Sequence, residues 1–224
     1  MRVVCISDTH NKHYQLEVPD GDILIHAGDF TSCGTHNEIR NFTEWLGRLP
    51  HRHKLVIAGN HELTLDTKWY KEAGKNFHPM NQDSEIAKQL LQNCTYLENQ
   101  AIEIDGVHFY GSPYSPIIPS NPMAFSTLAG SHAKAIWNQI PENTDVLITH
   151  SPPHGILDIN VRGYHCGDED LLEIIQSRVR PKYHIFGHIH ECYGSKTIDT
   201  TTFINAASLS QRRKCENKPI VFDI

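Results

Sequence analysis

The chain has 224 residues, 39% of them hydrophobic and 21% charged, with a net charge of −6 at pH 7. That length allows one sizeable core, and the composition excludes a disordered or collagen-like chain. The longest apolar runs are about five residues, far short of the roughly 18 that a membrane span needs, and an acidic balance without a Lys/Arg block argues against binding a phosphate backbone.

In chain order, the first apolar run, 3–7, starts just after Met1 and reads as a buried strand holding Cys5. No secretory leader is expected ahead of it. A second strand follows at 23–27. Ile39, Phe42, Trp45, Leu46 and Leu49 then recur on one face of a helix. A strand at 54–58 and a helix at 84–91 come next, followed by a hairpin of 101–105 and 107–111 that turns at Asp105-Gly106. Ala133, Ile136, Trp137 and Ile140 mark another helix before a strand at 146–149. The polar stretch 151–168, with two Pro and three Gly, is a loop, and loops that long are usually functional. Leu171, Leu172, Ile174, Ile175 and Val179 form a helical face. After a strand at 184–186, the segments 196–205 and 219–224 read as strands with no helix between them. Alternation of this kind predicts an α/β fold, with two packed β-sheets in a sandwich flanked by helices. No linker or internal repeat is visible, so residues 1–224 are expected to form a single domain. The six Cys make no CxxC pair, and reduced thiols in a cytoplasmic protein are the expectation.

Histidine is unusually abundant, at 16 residues. Asp8-Thr9-His10 follows the first strand, Gly28-Asp29 the second and Gly59-Asn60-His61-Glu62 the third. Thr149-His150 and Gly187-His188-Ile189-His190 end two later strands. Carboxyl ends of parallel strands share one edge, where ligands bind, so five remote segments should meet there. Taken singly, Asp-x-His is usually a cap beside a surface His, and Thr-His says nothing. Together the five point to divalent metal, because imidazole and carboxylate are good ligands and an Asp can bridge two ions. In extended chain, Asp-x-His and His-x-His put both donors on one side. Gly28, Gly59 and Gly187 are expected to let the backbone turn and approach closely. Glu62 reads as a helix-start carboxylate. His13, His36, His51, His53, His78, His108, His132, His154, His165 and His184 read as surface or packed residues, while His26, two residues before Gly28, could sit behind the site. Tyr114, Ile117 and Ile118 are expected to line or cover the cleft.

This order of motifs resembles the calcineurin-like metallophosphoesterase superfamily. The stretches HAGDFT (26–31), AGNHELTLD (58–66), THSPPHG (149–155), RVRPKYHIFGHIHECYG (178–194) and PIVFDI (219–224) are similar to the metallophosphoesterase domain-containing (brain protein 239) family. The likeness spans nearly the whole chain. It implies the same sandwich, with its active site at the strand C-terminal ends, and metal-dependent hydrolysis of phosphodiesters, cyclic nucleotides included. Some animal members resemble this chain but carry Gly in place of His188. The family's Gly-Cys-x-x-Leu segment is present only as Cys166-Gly167-Asp168-Glu169-Asp170-Leu171.

Carried over residue by residue, the resemblance implies one metal on Asp8, His10, Asp29 and His190. A second is implied on Asp29, Asn60, His150 and His188, with Asp29 bridging. The ions would lie roughly 3.5–4 Å apart and share a hydroxide that attacks phosphorus in line. Asn60 and His61 would contact substrate, and His61 would give the leaving group its proton, as an imidazole can near neutrality. Mixed nitrogen and oxygen donors favour manganese, with iron or zinc next, over magnesium. Partners would be small phosphodiesters or nucleotides, with no membrane and no strong nucleic-acid binding. A phosphoprotein or phosphomonoester phosphatase is an alternative, weakened because Gly28-Asp29-Phe30-Thr31 lacks the Asp-Arg pair of that branch. A scaffold with a vestigial metal site is another.

Overall fold

The computed structural model describes residues 1–77, 81–118 and 123–224. His78 lies outside the described residues. The strands are β1 (Arg2–Ile6), β2 (Ile23–Ala27), β3 (His53–Ile57), β4 (Thr95–Tyr96), β5 (Gln100–Ile104), β6 (Val107–Ser112), β7 (Ser115–Pro116) and β8 (Ser126–Thr127). They continue as β9 (Val146–Thr149), β10 (Tyr183–Phe186), β11 (Gly194–Ile198), β12 (Thr201–Asn205) and β13 (Ile220–Asp223). The helices are α1 (His36–Gly47), α2 (Thr67–Glu72), α3 (Ser84–Gln89), α4 (Ser131–Trp137) and α5 (Glu169–Ile174).

One sheet runs β13-β1-β2-β3-β4 and the other β11-β12-β10-β9-β6-β5. The first sheet is parallel except for β13 at one edge, and the second is parallel inside with antiparallel β11 and β5 at its two edges. Side chains alternate across each strand, and the core follows from that alternation. Val3 and Cys5 face the second sheet with Ile23, Ile25, Leu55 and Ile57, against Phe109, Val146, Ile148 and Ile185. Val4, Ile6 and Leu24 face the other way, under Phe42, Trp45 and Leu46 of α1. Leu147, Phe186 and Phe203 turn outward from the second sheet onto Ala133 and Trp137 of α4 and Leu171 of α5. The result is a two-sheet sandwich with helices on both outer faces. Both faces of the inner strands are buried, which is why those strands read as short continuous apolar runs.

Local signals set the helix ends. Thr35 and Glu38 cap α1 reciprocally, and the Asp168 side chain accepts from Leu171 N at the start of α5. The chain leaves α5 through a π-helical turn (Ile175–Val179) and Arg180 in left-handed backbone, before Pro181. The segment predicted as one strand at 196–205 is a hairpin of β11 and β12. Asp199, at φ 50°, makes its turn without a glycine. None of the six cysteines is in a disulfide.

His13 is buried among Tyr14, Phe42 and Trp45, and neither ring nitrogen has a hydrogen-bond partner. Burial lowers its pKa to about 4. The unfolded chain therefore takes up a proton below pH ~6.5 that the folded chain refuses, and stability falls as pH drops toward the folded value. His13→Phe should recover about 2 kcal/mol of the stability lost between pH 7 and pH 5. Urea unfolding of chelated protein at the two pH values measures it, and parallel losses in both proteins would refute the assignment.

Candidate active site

The two sheets join where their parallel strands end. Ser7 pairs with Ala207 just past β1 and β12, and Ser208 N donates to Ser7 O at 2.7 Å. The loops after β1 and β2 are bonded to each other, Asp8 N to Gly28 O at 2.9 Å and His10 N to Asp29 O at 3.0 Å. Asp8, His10, Asn11, Asp29 and His188 all have positive φ, a conformation that costs a residue with a side chain about 1–2 kcal/mol. Such outliers cluster where surrounding structure forces them, and a shared side-chain site is the usual reason.

The glycines before the polar residues act differently from one another. Gly28 has φ 96°, and a Cβ there would also meet His150 Nδ1 at 2.5 Å. Gly59 and Gly187 do not have left-handed backbone. A Cβ would strike Asp29 Oδ1 at 2.4 Å in the first case and Asp8 Oδ2 at 2.0 Å in the second. Glycine is required there for close approach.

All seven predicted ligands converge. One nitrogen or oxygen each of Asp8, His10 and His190 lie within 4.8 Å of one another, as do those of Asp29, His150 and His188. A third group of this kind, His10, Asp29 and His61, joins the first through His10 and the second through Asp29. Asn60 Oδ1 is 3.0 Å from His150 Nε2. His188 N donates to both Asp8 carboxylate oxygens, at 3.1 and 2.9 Å.

The donors fit a bound cation. His150 Nδ1 lies 2.9 Å from Ala27 O, so that nitrogen holds the hydrogen and Nε2 of the neutral ring is a lone pair. That lone pair faces Asn60 Oδ1 and, at 3.3 Å, Asp29 Oδ2. Three lone pairs aimed at one point repel unless a positive charge sits between them. A proton is the minimal occupant. Burial opposes the charged ring, but the Asp29 charge and bond raise the His150 pKa to about 10. His10 repeats the arrangement, with Nδ1 at 3.1 Å from Thr31 O and Nε2 at 3.7 Å from Asp29 Oδ2. Burial lowers His10 and His188 to about 4, which keeps both rings neutral and able to donate lone pairs. Burial pulls His190 down, but its bond and charge contact with Asp8 raise it overall. Asp8 and Asp29, although burial raises both, are held below the ordinary carboxylate range by the surrounding histidines.

Glu62 differs from its predicted role. It lies fully buried in a turn, five residues before α2, and starts no helix. Its carboxylate accepts from Asp29 N (2.9 Å), Gly59 N (2.7 Å), Thr31 N (2.8 Å) and Thr31 Oγ1 (2.8 Å), so it holds the Asp29 loop against the Asn60 loop. Burial and then the Asp29 charge push its pKa up to about 8, against the pull of those donors. Glu62→Gln must turn an NH2 toward converging donors whichever way the amide faces. We expect a loss of about 2 kcal/mol and a thermal midpoint lower by roughly 4–8 °C for a chain of this size. An unchanged midpoint would remove Glu62 from this role.

His26 lies buried behind the loops, with Nε2 at 3.0 Å from Thr9 Oγ1. His61 Nδ1 is 2.7 Å from Ser32 O, which turns Nε2 toward the cleft. The Ser32 segment is held in turn by Glu38, which accepts from Ser32 N at 3.2 Å and Asn11 Nδ2 at 2.6 Å. The cleft encloses about 480 Å³, and Ile118, Met123 and Val161 also line it. Tyr114 packs inward on Phe125 instead. Val161 comes from the 151–168 loop, which is closed by bridges Pro153 to Asp168 and Ile159 to His165.

The family model for calcineurin-like phosphoesterases matches residues 1–192. The chain belongs to that family. This phosphoesterase is 41% identical over its whole length to the human metallophosphoesterase domain-containing protein 1, of which it covers 71%. It is 44% identical to a UPF0046 protein of Caenorhabditis elegans, covering 81% of that protein. A solved crystal structure shares the fold, with a TM-score of 0.66 over 99% of the phosphoesterase and 98% of the other chain, at 14% identity. No helix of the described residues is long and apolar enough to cross a membrane. Hydrolysis of phosphate esters with divalent metal is the family's chemistry, and the His/Asp groups of this phosphoesterase supply candidate ligands for it.

Proposed function

We propose that the protein is a phosphodiesterase that uses two divalent cations, manganese before iron or zinc, and that cyclic nucleotides are among its substrates. The whole chain acts as one such domain, in the cytoplasm. The observation that most supports this is Asp29, whose Oδ2 lies 3.7 Å from His10 Nε2 and 3.3 Å from His150 Nε2. A carboxylate between two imidazole sets suits an oxygen shared by two ions. One ion would rest on Asp8, His10, Asp29 and His190, and the other on Asp29, Asn60, His150 and His188.

Cations held there would supply an activated water as nucleophile and Lewis acidity toward the phosphoryl oxygens. The chain's own groups do the rest. Among the described residues Asn60 Nδ2 has only a weak partner, Met123 Sδ at 3.4 Å, and can donate to a non-bridging oxygen of the substrate. When the bond from phosphorus to the leaving oxygen breaks, that oxygen needs a proton. His61, ring fixed by Ser32 O, passes a proton from Nε2 to that oxygen. The apolar Ile118, Met123 and Val161 can cover an organic arm, in a cleft of the size that small-molecule sites have.

A panel of an aryl phosphodiester, the matching monoester, cyclic nucleotides and a phosphopeptide, run with manganese, tests the reading. The diester should exceed the monoester by at least tenfold in kcat/KM, and the phosphopeptide should stay near background. Preference for the monoester or the phosphopeptide would overturn it.

A further inference from the structure

Among the described residues, Arg213 is the one Lys or Arg that lines the cleft. It sits in a turn closed by the antiparallel bridge of Leu209 to Cys215, with Arg213 N donating to Ser210 O at 2.7 Å and Ser210 N to Lys214 O at 2.8 Å. The base of the turn is tied to the site, because Ser208 N bonds Ser7 O, the residue before Asp8, and Asn217 Nδ2 bonds Ala207 O at 2.8 Å. Arg213 itself has φ 54°, and the Lys12 ammonium donates to its carbonyl. The backbone is thus held in an uncommon conformation at a set place on the rim.

The side chain is exposed and forms no hydrogen bond or ion pair with the described residues, although Glu191 lines the same cleft. Arg212 and Lys214 flank it, both exposed, in a protein of net charge −6. Asp8 and His150, by contrast, are fully buried, grouped with the cleft-lining His10, His190, Asp29 and His188. A phosphorus held at the floor leaves the rim to meet whatever protrudes. A guanidinium suits phosphate because its planar fork binds two oxygens at once.

We propose that Arg213 is a specificity residue that binds a second phosphate, on the arm of the substrate that extends past the rim. Preferred substrates are then phosphodiesters with a terminal phosphomonoester group. This rests on the phosphodiesterase reading of the same site.

The test compares a dinucleotide with its terminally phosphorylated form, in the parent, Arg213→Asn and Arg213→Lys. Asn tolerates left-handed backbone, so the fold should be kept and the thermal midpoint should match the parent. The parent should favour the phosphorylated form about tenfold in kcat/KM. That ratio should fall to near one in Arg213→Asn and to an intermediate value in Arg213→Lys, and added salt should shrink it. No preference in the parent, or an unchanged ratio in Arg213→Asn, would overturn the proposal. Calorimetry separates this from failure of the site reading. If the parent cleaves neither dinucleotide, the phosphodiesterase reading falls. Arg213 is still upheld if a nucleoside bisphosphate binds more tightly than the monophosphate to the parent but not to Arg213→Asn, and refuted if the two proteins bind them alike.

Discussion

Exhaustive dialysis against a chelator is expected to take phosphodiester hydrolysis to background, and added manganese to restore it. The reason lies in how the donors face each other. His150 Nε2, Asn60 Oδ1 and Asp29 Oδ2 point at a common spot, and His190 Nε2 faces Asp8 Oδ1 at 3.2 Å. With cations present those lone pairs would serve as ligands. Without them, the only relief is protonation of the rings, which leaves nothing to activate water or to offset charge on phosphorus. Calorimetry should count two ions per chain. Manganese at 100 times its dissociation constant should add about 2.7 kcal/mol of stability per site, read as a higher thermal midpoint. Full activity in a metal-free sample would sink the two-ion reading, and stoichiometry near zero would favour a scaffold.

The strand ends were readable because the sequence changes character sharply there. Runs such as Ile23 to Ala27, buried on both faces, stop at Gly28-Asp29, and a polar residue directly after a buried strand has few reasons to be there. The sandwich was readable from the same runs together with the Asp105-Gly106 turn, where both residues have positive φ as a two-residue hairpin requires. The hairpin between β11 and β12 was not, because its turn uses Asp199-Thr200, which carries no glycine signal. Glu62 escaped for a different reason. Its partners Asp29 and Thr31 lie 33 and 31 residues away, and no periodicity links a carboxylate to backbone donors in another loop. Arg213 escaped likewise, since the short turn that carries it forms no regular element. What placed it at the cleft is the bond between Ser208 and Ser7, a contact that only the tertiary structure supplies.

His61→Ala should slow hydrolysis of a diester with a poor leaving group by about 10²–10⁴-fold, the usual contribution of general acid catalysis. The loss should be smaller on an activated aryl diester, whose leaving oxygen hardly needs a proton. The geometry makes this a real choice between two roles. The His61 ring stands edge-on to His10, 4.6 Å between centroids, and its nitrogen belongs to a group with His10 and Asp29 that could hold an ion. If His61 were a ligand, removing it would lower metal stoichiometry and slow both substrates together. If it is the acid, two ions stay bound and only the leaving-group dependence steepens. The ring's fixing favours the second outcome. Glu38 holds the Ser32 segment, Ser32 O takes the Nδ1 hydrogen, and Nε2 is left facing the cleft. A proton on Nε2 is then aimed by groups that lie outside the ligand set, so the ligands need not move when His61 is lost. Equal losses on both substrates at full metal occupancy would leave His61 as a substrate-binding residue and remove it as the acid.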